Sequence, residues 1–148
     1  MHSFISCLMH CVFATKERRL LIAPALRTRL WPYLAGIARE NRIKALEIGG
    51  VAYHVHVLIS LPATLSLSKA IQLLKGNSSK WIHETFPEHR GFGWQEGYGA
   101  FGIGVSGLKD TSRYIRNQAE RHRKLTFQQE VKAFLKKHGM EYVEQDLE

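Results

Sequence analysis

The apolar run from Val51 to Leu61 carries two histidines, His54 and His56, with only Val55 between them. Side chains of a β-strand alternate between its two faces, so residues i and i+2 lie on one face about 6.6 Å apart. The run predicts a strand, and the spacing predicts two imidazoles that converge on one metal ion. The alternative is a pair of ordinary histidines on a solvated sheet face. A further ligand elsewhere in the chain is needed to decide between these interpretations.

The chain carries a net positive charge. Its 148 residues include 21 Lys+Arg and 13 Asp+Glu, a formal charge of +8. The length suits one domain with one core, which we assign to residues 1–148. An excess of basic residues is typical of proteins that bind a polyanion, and nucleic acid is the first candidate. A basic surface without such a role is the alternative.

The cysteines and the N-terminus indicate the compartment. Cys7 and Cys11 lie roughly 13 Å apart in an extended segment, too far to form a disulfide. We expect buried free thiols, as in a reducing compartment. The N-terminus has no basic n-region, and no segment reaches the roughly 18 apolar residues of a membrane span. We therefore expect a cytoplasmic protein with no membrane contact.

Apolar periodicity predicts an alternation of strands and helices over the first two thirds of the chain. The predicted elements are a strand at 4–13, a helix at 24–41, strands at 43–48 and 51–61, a helix at 67–86 and a strand at 100–105. Gly49 and Gly50 predict a hairpin turn before the histidine strand. Gly76 weakens the second helix by about 1 kcal/mol relative to Ala. The order favours an α+β, ferredoxin-like (RNA-recognition-like) sandwich, an antiparallel sheet with helices on one face.

The last third predicts two further helices. Ser106 is a suitable N-cap for a helix over 107–124, with Leu108, Ile115 and Ala119 on its apolar stripe. Tyr114 and Gln118, four residues apart, fall on a neighbouring stripe. A solvated basic helix with a partly buried tyrosine is the alternative interpretation. A final helix over 127–138 precedes an acidic tail at 141–148.

Three glycines imitate a nucleotide-binding motif. Gly97, Gly99 and Gly102 have the spacing of the dinucleotide fingerprint, but that motif needs a preceding strand and a helix that opens within it. Here a predicted strand follows instead. We interpret the segment as a pliant loop.

His54, His56 and a glutamine carbonyl would form a mixed nitrogen and oxygen ligand set. Such a set leaves coordination positions free for water or substrate oxygens and suits Mn²⁺ or Mg²⁺. Structural zinc instead has all four coordination positions filled by protein ligands. An ion in the mixed set can polarise a phosphate as a Lewis acid. Tyr114 would lie one helical turn from Gln118, close to the same phosphorus, where its phenol can act as a nucleophile.

Four segments of the chain, in this order, resemble the successive motifs of the HUH single-tyrosine transposases. This is the small insertion-sequence 200-like family, with relatives associated with repeated palindromes. The segments are His54-Val55-His56 with Val57-Leu58-Ile59, Leu74-Lys75-Gly76-Asn77-Ser78-Ser79-Lys80-Trp81, Trp94-Gln95-Glu96-Gly97-Tyr98-Gly99-Ala100-Phe101, and Tyr114-Ile115-Arg116-Asn117-Gln118. The chain departs from the family pattern at Tyr53, where Asp is frequent, at Gly102 and Gly104, where Ser is usual, and at Arg121, where His is common.

The resemblance implies an activity and its residues. It implies His54, His56 and Gln118 as ligands of Mg²⁺ or Mn²⁺, and Tyr114 as a nucleophile that forms a 5′-phosphotyrosine. It further implies a nucleoid-associated homodimer that cleaves and rejoins single-stranded DNA near hairpins, with active sites shared between subunits. The glycines at 102, 104 and 107 are a plausible hinge for such an exchange of the Tyr114 helix.

Basic residues would track the phosphate backbone of the DNA. The candidates are Lys16, Arg18, Arg19, Lys75, Lys80, Arg113, Arg116, Arg121 and Arg123. Two other classes remain open from the sequence. One is a domesticated, non-cutting protein that binds hairpin DNA or RNA. The other is a small metallo-enzyme that uses the histidine pair for oxygen or hydrolytic chemistry, with a structural Tyr114.

Overall fold

A computed structural model describes residues 1–147, built around a four-stranded antiparallel sheet. The strands and helices are β1 Leu8–Ala14, α1 Pro24–Glu40, β2 Lys44–Val51, β3 His54–Ser60, α2 Leu67–Thr85, β4 Gly99–Ile103, α3 Leu108–Arg116, α4 Gln118–Arg121 and α5 Phe127–Lys137. Short 3₁₀ turns occupy Lys16–Arg18, Pro87–His89, Val105–Gly107 and Glu144–Leu147. Glu148, the last residue of the acidic tail, lies outside the described residues.

The strand order is β2-β3-β1-β4, so the histidine strand β3 lies inside the sheet between β2 and β1. His56 pairs with Val12 on one side and with Gly49 on the other. All three pairings are antiparallel, and the predicted α+β class is confirmed. A strand with hydrogen-bonded neighbours on both sides holds its side chains on a rigid backbone.

The first face of the sheet is covered by α1 and α2. Val55 and Val57 of β3 point to this face and pack with the helical leucines and isoleucines. Pro24 occupies the first turn of α1, and the Ser66 side chain caps α2 by accepting from the Lys69 backbone N–H. Gly76 does not interrupt α2, which runs through it without a break.

The second face of the sheet carries the C-terminal helices. Val12, Ala14 and Phe101 form a smaller apolar cluster there with Phe127 of α5. The backbone of α3 crosses β2 so closely that a Cβ on Gly49 would lie 2.4 Å from the carbonyl oxygen of Ile115. Helices therefore cover both faces of the sheet, with α1 and α2 on the first.

The predicted antiparallel hairpin of β2 and the histidine strand is confirmed, but its predicted turn at Gly49 and Gly50 is wrong. Both glycines lie inside β2, opposite His56 and Val55, and the chain turns at residues 52–53. The glycines are needed for close approach, because a Cβ on Gly50 would lie 2.3 Å from the His54 carbonyl oxygen. They extend the strand where the sequence indicated its end.

The predicted single helix over 107–124 is also wrong. Val105–Gly107 forms a 3₁₀ turn, Gly107 precedes α3 without a side-chain cap, and so Ser106 is not the N-cap. The helix stops at Arg116, and Asn117 leaves helical geometry before α4. Ala119, expected on the apolar stripe, is exposed, whereas Ile115 is fully buried.

The N-terminal strand begins later than predicted, at Leu8, where pairing with Ser60 of β3 begins. Phe4 and Ile5 are exposed. Cys11 is buried and Cys7 is half-buried, and both are free thiols. Among residues 1–147, no helix is both long and apolar enough to cross a bilayer.

Candidate metal and nucleophile site

His54 and His56 point from β3 to the second face of the sheet. Neither side chain has any exposed area, and their ring centroids lie 5.1 Å apart. The interpretation as ordinary histidines on a solvated sheet face is therefore wrong. Alternation along the strand sends Val55 to the opposite core, so the two imidazoles share one buried space.

Gln118 joins the histidines from the other side of this space. It is the first residue of α4, it is 1% exposed, and its Oε1 lies 3.0 Å from Nε2 of His54. The break at Asn117 separates the helices that carry Tyr114 and Gln118, yet both side chains reach the same cluster. These contacts are made within one chain, so this arrangement needs no exchange of helices between subunits.

Glu130 of α5 lies at the centre of the cluster, and no sequence motif pointed to it. The side chain is 1% exposed. Its Oε1 lies 3.2 Å from Nε2 of His56, 3.2 Å from Nε2 of His122 and 3.5 Å from Nε2 of His54. One carboxylate oxygen is thus surrounded by three imidazole nitrogens.

The other oxygen of Glu130 faces the candidate nucleophile. Its Oε2 accepts a hydrogen bond from the Tyr114 hydroxyl and a second, of 3.2 Å, from the Gln118 amide. The Arg121 guanidinium lies over the Tyr114 ring, 4.6 Å from its centroid. Glu130 therefore connects the histidines with the tyrosine.

Two further aromatic residues complete the surroundings of the cluster. His10 of β1 is buried, and its Nε2 lies 2.7 Å from Nδ1 of His56. The Tyr53 hydroxyl lies 3.4 Å from Nδ1 of His122, and the Tyr53 ring packs edge-on against His54. Tyr53, one of the departures from the family pattern, thus lines the site.

Burial sets the charge states in the cluster. Desolvation, with the neighbouring His56, lowers the pKa of His54 to about 3, and the same two causes lower the pKa of His10 to about 3. Burial alone would raise the pKa of Glu130, but the hydrogen bond and charge of His56 hold it well below its usual range. Burial, reinforced by Glu130, raises the pKa of the Tyr114 phenol far above its ordinary value. The cluster therefore holds an ionised carboxylate beside a protonated phenol.

The predicted DNA-binding residues lie in different surroundings. Lys16 and Lys80 are exposed on the surface. Four arginines form ion pairs with nearby acidic side chains: Arg19 with Glu17, Arg113 with Asp110, Arg116 with Glu47 and Arg123 with Glu120. Such exposed pairs contribute only about 0–1 kcal/mol, so the arginines remain available for phosphate.

Lys75 and Arg18 have structural contacts that the sequence did not indicate. The Lys75 ammonium donates to the carbonyls of Gln95, at 2.8 Å, and Gly97, at 2.6 Å. Arg18 donates to the Leu147 carbonyl and lies over the Phe127 ring. These two side chains hold a loop and the C-terminal segment in place.

Glu130 and His122 were missed for a physical reason. Glu130 lies in an amphipathic segment where the sequence predicts acidic side chains on the solvated face. Burial of a charged residue is decided by tertiary partners, here imidazoles up to 76 residues away along the chain. One signal was available. Phe127, Glu130 and Phe134 occupy positions i, i+3 and i+7, a helical spacing that places all three on one side of α5.

The fold and the cluster define a class of α+β protein in which a central strand and two later helices bring two histidines, a glutamine and a tyrosine together. Residues 3–118 match the sequence profile of the family described as "Transposase IS200 like". The chain belongs to this family.

Known relatives agree with this assignment. The chain is 30% identical over 125 residues to the "Transposase for insertion sequence element IS200" of Salmonella typhimurium (strain LT2), covering 80% of this chain and 81% of the relative. The same values apply to the transposase of that name from Salmonella typhi. The predicted family is confirmed.

Two solved structures share the fold. The crystal structure of a putative transposase from Deinococcus radiodurans superposes with a TM-score of 0.63 at 21% identity, covering 80% of this chain and 95% of that one. A REP-associated tyrosine transposase bound to a REP hairpin superposes with a TM-score of 0.61 at 14% identity, covering 84% and 74%.

Proposed function

We propose that this transposase cleaves and rejoins single-stranded DNA at hairpin-flanked element ends through a 5′-phosphotyrosine on Tyr114. The observation that carries the proposal is the convergence of four residues in one buried cluster. Gln118 Oε1 lies 3.0 Å from His54 Nε2, His56 shares the same space, and Tyr114 reaches it through Glu130. The family assignment supplies the reaction class, DNA transposition.

The donor set fits a divalent metal ion. His54 and His56 offer imidazole nitrogens from a rigid strand, and Gln118 offers an amide oxygen. These three residues would hold Mg²⁺ or Mn²⁺. The ion supplies Lewis-acid polarisation of a phosphate oxygen when it is bound.

Tyr114 performs the covalent step. Its phenol oxygen gives up its proton and forms a bond to phosphorus, while the bond from phosphorus to the 3′-oxygen breaks and that oxygen takes up a proton. The step leaves a 5′-phosphotyrosine and a free 3′-hydroxyl. The new ester keeps a phosphodiester bond. Attack by a 3′-hydroxyl on that ester reverses the step, so rejoining needs no ATP. In the structure the Tyr114 hydroxyl donates a hydrogen bond to Glu130, a carboxylate that can accept the phenol proton.

Two observations support a DNA substrate: the positive net charge of the chain and a structurally similar transposase that is bound to a hairpin. The chain has a formal charge of +8, and Lys16, Lys80 and Arg113 are exposed. The REP-associated relative is a protein bound to a REP hairpin. We propose hairpin-bearing single-stranded DNA as the substrate, a homodimer as the working assembly, and the cytoplasmic nucleoid as its place of action.

A denaturing gel tests this proposal. Wild-type protein, Mn²⁺ and the single-stranded ends that flank the gene are expected to give a covalent protein-DNA adduct. Tyr114→Phe keeps the ring and removes the nucleophile, so it abolishes the adduct while DNA binding remains. Tyr33→Phe is the matched control, because Tyr33 stacks on Trp81 between α1 and α2, on the first face of the sheet.

Three results would contradict the proposal. Hairpin binding by the wild type without any adduct favours the non-cutting binder. Metal-dependent hydrolysis without an adduct favours the small metallo-enzyme. An adduct of undiminished yield in Tyr114→Phe would remove Tyr114 from its role.

A further inference from the structure

A cavity borders the candidate nucleophile. Its volume is about 430 Å³, and ligand sites in proteins have volumes of about 300–1,000 Å³. Tyr114 and Glu130 lie in its wall, so the cavity adjoins the atoms that react in the proposed step. Much of the remaining wall comes from Arg121, Phe134 and Lys137, which follow the residues that match the family. The cavity therefore depends on a part of the chain that the family match does not cover.

Two cations in the wall of the cavity are available to bind an anion. Arg121 and Lys137 are exposed, and among residues 1–147 neither forms an ion pair with an acidic side chain. The Arg121 guanidinium lies 4.6 Å from the centroid of the tyrosine ring, a contact that holds its charge beside the phenol. Asp110, the exposed acidic residue of the wall, is paired with Arg113 at 3.9 Å. Arg121 and Lys137 can therefore form charge-assisted hydrogen bonds to a phosphate.

Part of the wall is apolar. Phe134 of α5 packs edge-on against the Tyr114 ring, with centroids 5.5 Å apart, and Leu125 and Ala133 also line the cavity. Such a surface accepts the sugar or the base of a nucleotide, whereas the cations accept its phosphate. The cavity thus fits a ligand that combines an anionic group with an apolar part.

The geometry of phosphoryl transfer decides which part of the DNA can enter the cavity. The attacking oxygen and the leaving oxygen lie roughly in line on opposite sides of the phosphorus. The strand that carries the leaving 3′-oxygen therefore extends away from Tyr114. The nucleotide that carries the 5′-oxygen stays bonded to the phosphorus and lies to the side of this line. It is the part of the substrate that can turn towards a cavity beside the tyrosine.

We propose that this cavity binds the first nucleotide on the 3′ side of the cleaved phosphate, and that Lys137 and Arg121 bind the phosphate that follows this nucleotide. The inference rests on the proposed function, because it takes Tyr114 as the nucleophile. It gives the residues after 118 a role in the reaction. They hold the DNA end that becomes attached to the tyrosine, so that this end stays in place until a 3′-hydroxyl attacks it.

Substrates with one neutral linkage test this assignment. A methylphosphonate replaces a charged oxygen of one phosphate by a methyl group, and it is placed at the first linkage on the 3′ side of the cleaved phosphate. The rate of adduct formation by the wild-type protein with Mn²⁺ is measured against protein concentration. The half-saturating concentration is expected to rise about tenfold, because the neutral linkage loses its charge-assisted contact. The same replacement on the 5′ side of the cleaved phosphate is the matched DNA control.

Lys137→Gln is the complementary change in the protein. It should raise the half-saturating concentration about tenfold with the unmodified substrate. It should have little further effect with the neutral 3′ linkage, since both changes remove the same contact. Lys137→Arg keeps the charge and should restore most of the binding. Lys136→Gln is the matched control, because Lys136 is an exposed neighbour on α5 that lies outside the wall of the cavity.

The outcomes separate this inference from the proposed function. A Tyr114-dependent adduct that forms equally well with Lys137→Gln overturns the inference and leaves the proposed function intact. Additive effects of Lys137→Gln and the neutral 3′ linkage also overturn it, because Lys137 then contacts a different phosphate. Coupling of Lys137→Gln to the neutral 5′ linkage would place the leaving strand in the cavity and overturn it as well. Absence of an adduct with every substrate removes the proposed function and this inference with it.

Discussion

At the scale of single residues, hydrogen bonds decide which nitrogen of His56 is available to a metal. His56 has one ring nitrogen 2.7 Å from His10 and the other 3.2 Å from Glu130. A ligating histidine presents one nitrogen to the ion and donates the other N–H to a fixed acceptor. For His56 to bind through Nε2, its Nδ1–H must donate to Nε2 of His10. If His56 binds the ion as proposed, His10 is the residue that orients it.

His10→Phe tests this role. The substitution keeps a buried ring and removes the acceptor, so Mn²⁺ affinity measured by calorimetry should fall about 10–100-fold. His10→Gln restores an acceptor and should recover part of the loss. Wild-type affinity in His10→Phe would show that His56 needs no such partner.

The buried histidines also predict how stability depends on pH in metal-free protein. His10 and His54 have a pKa of about 3 when folded, chiefly because of burial, against about 6.5 in an unfolded chain. Between these values the unfolded chain binds more protons, so the free energy of unfolding falls as the pH falls below about 6.5. Glu130 acts in the same direction only at lower pH, below its unfolded pKa of about 4.3.

Urea unfolding at pH 7.5, 6.0 and 5.0 measures this dependence. We expect a progressive loss of stability, with a smaller slope in His10→Phe, which lacks one of the two titrating groups. A free energy of unfolding that is constant or rises over this range would contradict the buried neutral histidines.

At the scale of secondary structure, the sequence predicted the elements better than their ends. Periodicity located α1, α2, α5 and the histidine strand because their apolar faces meet a core. It misplaced the turn of the hairpin because two consecutive glycines are typical of a turn. Gly49 is instead required by the close approach of α3, a tertiary contact that local sequence does not indicate. The break at Asn117 and the burial of Glu130 were missed for the same reason. Sequence spacing within β3 and α3 indicated His54, His56 and Tyr114 as candidate site residues. It did not indicate Glu130, the carboxylate that connects them.

Gly49 and Gly76 provide a matched test, because a tertiary contact requires the first glycine and no neighbour lies close to the second. Gly49→Ala would place a Cβ 2.4 Å from the Ile115 carbonyl, so α3 must shift, and we expect a loss of about 1–3 kcal/mol. Gly76→Ala adds a Cβ with nothing within 4 Å inside α2, and we expect a gain of about 0.5–1 kcal/mol. Chemical denaturation measures both. Equal effects of the two substitutions would contradict the close crossing of α3 over β2.

At the scale of the whole molecule, the two faces of the sheet have different roles. The first face, under α1 and α2, supplies most of the apolar core. The second face carries the polar cluster, whose side chains come from β1, β3, α3, α4 and α5. Segments far apart in the sequence meet there within one chain. A dimer therefore need not share its sites in this arrangement.

Mixing two inactive variants tests that statement. His54→Ala/His56→Ala and Tyr114→Phe subunits have complementary defects. With sites built inside one chain, mixed dimers stay inactive. Recovery of up to roughly a quarter of wild-type cleavage, after subunit exchange is demonstrated, would show that the Tyr114 helix serves the partner's histidine strand.

The central claim is that Tyr114, next to the histidine cluster, becomes covalently linked to DNA. The most direct measurement is mass spectrometry of the protease-digested adduct formed by the wild-type protein with its single-stranded element end and Mn²⁺. The account predicts a nucleotide mass, attached through a 5′-phosphate, on the peptide that contains Tyr114. The same modification on Tyr53, which also lines the cluster, or on any other tyrosine, would contradict the account.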